Sequence, residues 1–120
     1  MAFQMETTQV LNELLEVPGL SAAVIVGRDG FVIEAAGSLG GMDVDAFGAS
    51  VAAVQSGAES MGAELGLAAF HTMTLEASDA MIMCVPAGEA LLVILSPDSK
   101  TLGMIRLQVK KRMPRLAEHL

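Results

Sequence analysis

Tryptophan and tyrosine are absent from these 120 residues, phenylalanine occurs four times and cysteine once. So few rings leave almost nothing on which nucleobases could stack. Basic residues are nearly missing from most of the chain: up to Ser99, Arg28 alone stands against thirteen acidic residues, a local charge of −12. Such a body repels phosphate backbones, so no nucleic-acid partner is expected. A lone Cys84 permits no disulfide within the chain and no cysteine-built zinc site, which points to a reducing, cytoplasmic setting. Long apolar runs are missing too. The stretches around Leu20–Gly27 and Met81–Val85 fall far short of the ~20 residues that span a bilayer, so no membrane insertion is expected. The opening Met1-Ala2-Phe3-Gln4-Met5-Glu6 lacks the basic-then-apolar order of an export signal.

What remains suits one folded domain over residues 1–120. Hydrophobic residues make up 52% of the chain and charged ones 18%, and a chain of this size buries roughly two thirds of its unfolded surface without needing a staple. Phe3, Thr7, Val10, Leu14 and Val17 recur at helical spacing, with Leu11 and Leu15 widening the stripe. Val17-Pro18-Gly19 ends that helix, since proline disfavours helical geometry in the residue before it. Ser21–Gly27 and Phe31–Gly37 are apolar runs flanking Arg28-Asp29-Gly30, which reads as a hairpin. That reading leaves Arg28 and Asp29 as turn residues, with no catalytic aspartate and no arginine finger.

A long helix is expected from Asp43, its N-cap, to about Gly66, with a buried stripe of Phe47, Val51, Val54, Ala58, Met61 and Leu65. Off that stripe Ala49, Ala52, Ala53, Ser56, Gly57, Ser60 and Gly62 carry little bulk. Interior glycines each cost a helix about 1 kcal/mol relative to alanine. Two readings stand: a close second helix, from this chain or a second copy, or plain alanine-rich composition. Three strands follow at Ala68–Ala77, Ala80–Val85 and Ala90–Leu95, forming a meander. The polar His71, Thr72, Thr74 and Glu76 mark the first as a sheet edge. Leu102, Ile105, Val109, Met113 and Leu116 give a closing helix, begun near Ser96–Ser99 and kinked or ended at Pro114. From Lys100 onward six basic residues oppose Glu118, giving +5. The cluster Lys110, Lys111, Arg112 and Arg115 is either a solvated face or a docking patch for an acidic partner.

Motifs for catalysis are missing. There is no phosphate-binding G-x-x-x-x-G-K-[ST] loop and no G-x-S-x-G elbow, and Gly40-Gly41 lacks the spacing of a dinucleotide fingerprint. His71 falls in a polar strand and His119 beside the last residue, and Cys84 lies inside an apolar run. Asp43 and Asp45 lack the glycine and glutamate of a calcium loop. The expectation is no enzyme, no catalytic residue, no metal and no cofactor.

The order α-β-β-α-β-β-β-α predicts an α/β (α+β) fold with a five-stranded mixed antiparallel sheet. Together with Pro18-Gly19-Leu20 before the first strand, the Arg28-Asp29-Gly30 hairpin, the alanine-rich central helix and Leu102-Gly103-Met104-Ile105-Arg106-Leu107, this resembles the Roadblock/LC7 family, a profilin- and longin-like sandwich. The likeness is strongest to its prokaryotic MglB-like branch. The resemblance implies a homodimer in which central helices pack together and third strands pair edge to edge. The interface would hold Ala49, Ala52, Ala53, Ser56, Gly57, Ser60, Phe70, Thr72 and Thr74. It implies as well a small Ras-like GTPase as partner, met by Gln55 and Glu59 and regulated without a donated arginine. A dimeric scaffold or adaptor of a motor or signalling complex is the alternative. A PAS- or GAF-like small-molecule sensor is a third, disfavoured by the scarcity of aromatic groups.

Overall fold

The computed structural model describes residues 2–118, and of residues 2–5 the backbone alone. The Phe3 side chain and His119 therefore lie outside the described residues. Eight elements follow one another: α1 (Ala2–Leu15), β1 (Ala22–Gly27), β2 (Val32–Gly37), α2 (Val44–Glu64), β3 (Met73–Glu76), β4 (Met81–Ala87), β5 (Ala90–Ser96) and α3 (Leu102–Ala117). They form one antiparallel sheet in the order β2-β1-β5-β4-β3.

The central strands explain the unbroken apolar runs. β1 and β5 are flanked by strands on both sides and covered on both faces, so side chains of either parity are buried. On one face α1 and α3 bring Val10, Leu11, Leu14, Ile105, Val109 and Leu116 onto Ile25, Met83, Leu92 and Ile94. On the other, Val51 of α2 packs with Val24, Val26, Cys84, Leu91 and Val93. The β1–β2 reversal is the expected one. Gly30 takes φ +93°, a conformation that side chains rarely tolerate, and the Asp29 carboxylate accepts the Phe31 N–H at 3.1 Å. Asp43 caps α2, accepting the Ala46 N–H at 3.2 Å.

Several boundaries differ from the sequence expectation. α1 ends at Leu15, and 16–20 form a turn with Val17 N–H bonded to Leu14 O at 3.0 Å. β3 is only Met73–Glu76, because 68–72 leave the ladder. β4 runs on through Pro86 to Ala87, leaving Gly88-Glu89 as the reversal. α3 starts at Leu102, beyond the Ser96–Ser99 cluster, and continues past Pro114 to Ala117. The Ser96 hydroxyl instead lies 2.7 Å from the carbonyl oxygens of both Gly19 and Asp98, with one proton to give to either, and so sits between β5 and the turn after α1.

The larger correction concerns α2. Of the stripe expected to be buried, Val51 is buried and Phe47 and Ala58 are half-buried, but Val54, Met61 and Leu65 are 44%, 57% and 71% exposed. The buried line is Gly48, Val51, Gln55 and Gly62. Glycine decides the facing. A Cβ on Gly48 would stand 2.6 Å from the Gly30 carbonyl oxygen, so only a bare backbone lets the helix settle onto the hairpin turn, and Gly62 receives the Phe70 ring in the same way.

Candidate dimer and partner-binding surface

The outward side of α2 is built from Ala46, Ala49, Ala53, Ser56, Gly57 and Ser60, all exposed, with Ala52 half-buried at its margin. Between Ala46 and Ser60 the helix has one charged residue, Glu59. No other group lies within 4 Å of where a Gly57 Cβ would stand. Val54, Met61 and Leu65 run along one flank of this small-residue face. An exposed apolar line beside a smooth, uncharged one is a surface shaped for close contact.

The sheet edge supplies a second element. Among the described residues β3 has β4 on one side and no strand on the other, as its polar sequence suggested. Thr72 is exposed and Thr74 half-buried, while the half-buried Phe70 packs on Gly62, linking the edge to the end of α2. Leu75 is 45% exposed beside them. Phe70 thus ties the segment leading into β3 to the inward side of α2 near its end, while the helix body packs on β1 and β2.

Gln55 and Glu59 sit differently from each other. Gln55 is 1% exposed, so its side chain presents nothing to a partner directly. The inward turn has the same cause as the misplaced stripe: the glycines rotate α2 until position 55 faces the sheet. Its Nε2 donates to Glu59 Oε2 at 3.3 Å, while its Oε1 has no hydrogen-bond partner among the described residues. Glu59 is half-buried and accepts both contacts of Arg28, whose Nη1 lies 3.0 and 3.2 Å from its two oxygens. The hairpin arginine therefore clamps the helix to the turn, a role that spacing alone did not reveal. Cys84 lies in the core near this pair. Burial pushes its thiol up to about 11, an effect the Arg28 charge partly opposes and the Glu59 charge reinforces. Such a thiol stays protonated and inert near neutral pH.

Residues 6–96 match the sequence pattern of the Roadblock/LC7 domain. The chain belongs to the Roadblock/LC7 domain family. A relative from Methanocaldococcus jannaschii, the uncharacterized protein MJ0310, is 34% identical over 103 residues, 86% of this chain and 90% of its own. Among solved structures, the gliding protein MglB from Thermus thermophilus superimposes with a TM-score of 0.90 at 26% identity, over 99% of this chain and 91% of that one. Profilin IA of Acanthamoeba castellanii shares the fold alone, at 24% identity and a TM-score of 0.62 over 93% and 96% of the two chains. This Roadblock/LC7 domain is accordingly a small interaction module. Among its described residues no helix is long and apolar enough to cross a membrane.

Proposed function

We propose that this Roadblock/LC7 domain works in the cytoplasm as a non-catalytic homodimer that binds and regulates a small Ras-like GTPase. The observation that carries the reading is the uncharged, small-residue face of α2 edged by exposed Val54, Met61 and Leu65, in a molecule that also leaves the β3 edge open. Two such faces related by a twofold axis bury each other's apolar flank and extend the sheet across both copies. The interface then comprises Ala49, Ala52, Ala53, Ser56, Gly57, Ser60, Phe70, Thr72 and Thr74. A GTPase as the partner is what the resemblance to the MglB-like branch implies. In this reading Glu59 meets the partner at the rim of the paired helices, held in place by Arg28 and by the buried Gln55. Hydrolysis is promoted by ordering the GTPase's own switch segments, since α2 contains no arginine.

Mixing the purified protein with the small GTPases encoded nearest to it, in both nucleotide states, tests this by complex formation and GTP turnover. Absence of a complex in either state overturns the GTPase assignment. Ala53→Arg, read by light scattering, tests the platform separately: it is expected to give monomer, and an unchanged dimer refutes the proposed helix contact.

A further inference from the structure

The basic residues after Ser99 divide into two sets. Arg112 and Arg115 turn toward α1, where Arg115 Nη2 lies 2.6 Å and Arg112 Nε 3.2 Å from the Glu13 carboxylate, and Arg115 also faces Glu6. Lys100, Arg106, Lys110 and Lys111 have no ion-pair partner among the described residues. Arg106 and Lys110 are one helical turn apart and so share a flank of α3. That flank borders a groove of about 580 Å³ between α3 and the outer end of β4. Its walls are mainly apolar, with Met83 and Val85 from β4, Met113 from α3 and Phe70 from the segment before β3, where His71 and Thr72 add polar groups.

The groove exists because β4 outruns its neighbour. β3 pairs with β4 only as far as Met73 opposite Cys84, and 85–87 have ladder partners in β5 alone. Pro86 has no N–H to offer an added strand. An occupant therefore binds chiefly through its side chains.

We infer that this groove docks an acidic, amphipathic peptide segment of a partner protein, with Arg106 and Lys110 meeting carboxylates while the groove takes large apolar side chains. Charge complementarity argues for this occupant. The chain up to Ser99 carries −12 and repels acidic segments, so attraction is confined to α3. There Glu13 and Glu6 already take up Arg112 and Arg115, which concentrates the remaining pull at the groove rim. Met83 and Met113 are flexible thioether side chains able to adapt to differing anchors. The groove shares Phe70 and Thr72 with the proposed dimer surface, but its cations and most of its apolar lining come from α3 and β4, so the inference does not rest on the GTPase reading.

Fluorescence anisotropy of the full chain tests it, using a labelled peptide of about twelve residues with alternating Glu and Leu pairs and a control in which every Leu is Ser. Expected is saturable binding of the Leu peptide, little binding of the Ser control, and a loss of about tenfold in affinity for the combined Arg106→Glu and Lys110→Glu variant. If that variant fails to fold by circular dichroism, Lys110→Gln alone is read instead, with a loss of about threefold. No saturable binding, equal affinity for the two peptides, or affinity untouched by these substitutions each overturns the proposal. So does a variant that breaks an oligomer while peptide binding stays unchanged, since the occupant is then a second copy.

Discussion

Replacing Gly48 with alanine sets two effects against each other inside α2. The new Cβ would lie 2.6 Å from the Gly30 carbonyl oxygen and 2.8 Å from Val32 Cγ2. The valine methyl can shift, but the oxygen belongs to a turn fixed by Gly30 at φ +93° and by the Gly27–Phe31 backbone bond of 2.8 Å. Overpacking against backbone costs about 3 kcal/mol, and alanine returns about 1 kcal/mol of helix propensity. The net is a destabilisation of about 2 kcal/mol, a fall in Tm of roughly 8 °C for a domain of this size. Gly57→Ala is the control, because nothing lies within 4 Å of its Cβ position. Within the protomer it gains about 1 kcal/mol. With no tryptophan to report, urea unfolding is followed by circular dichroism, with an unchanged m-value required for comparison. Repeating it over a concentration range reveals whether a second copy rests on Gly57, since the gain then turns to a loss that dilution removes. If Gly48→Ala proves as stable as Gly57→Ala, α2 does not sit on the hairpin turn and the argument for its facing fails.

Three further outcomes follow from the geometry. The Cys84 thiol, raised to about 11 chiefly by burial, is expected to react with a disulfide reagent at neutral pH at least ~100-fold more slowly in the native chain than in urea. Equal rates would show that the β4 core is open. Glu13 is held below the ordinary carboxylate value, first by its hydrogen bond from Arg115, which burial opposes, and further by the Arg115 charge and by Arg112. The folded chain thus binds fewer protons there than the unfolded one. The contribution is complete above the ordinary carboxylate range and is lost as pH falls through the folded value, so Glu13→Gln should flatten the acid limb of the stability curve; superimposable curves would refute this. Leu75→Lys, placing a charge beside the β3 edge, is expected to move the sedimenting species toward monomer with its circular dichroism unchanged, and an intact dimer would remove the strand edge from the proposed interface.

The element order was legible because each reversal carries its own chemistry. Asp29-Gly30 makes a tight hairpin whatever surrounds it, and Pro18-Gly19 stops a helix from within the local chain. Polar alternation also marked β3 as an edge. The facing of α2 was not legible in the same way. A three-four spacing through Val51 fits two adjacent stripes, one through Val54 and Met61, the other through Gly48, Gln55 and Gly62. The apolar count favours the first. The observed choice depends on backbone contact at Gly48 and on Phe70 reaching Gly62, contacts that helical spacing does not encode. The Arg28–Glu59 clamp escaped for a related reason, since 31 positions separate its partners. The α3 groove was visible only as cations in excess of local acids; its floor comes from β4 and its end wall from the segment before β3.

Magnitudes indicate which parts of the proposed dimer are needed. Fully burying a large apolar side chain is worth about 1.5–3 kcal/mol. Val54, Met61 and Leu65 are already partly covered, so docking them on a second copy adds about 3–5 kcal/mol per protomer, or ~6–10 kcal/mol across a twofold interface. Association itself costs on the order of 4–15 kcal/mol. The helix face alone therefore yields at best a weak dimer, and its lack of charge removes any electrostatic rescue. In the proposed dimer, pairing of the β3 edges would supply what is missing, because each backbone hydrogen bond gained adds about 1 kcal/mol. Phe70, packed on Gly62 while leading into β3, holds the start of the strand to the end of the helix. The glycine that lowers α2's own helical stability at position 62 is thus the one that accepts the Phe70 ring and fixes the segment leading into β3 against the inward side of the helix.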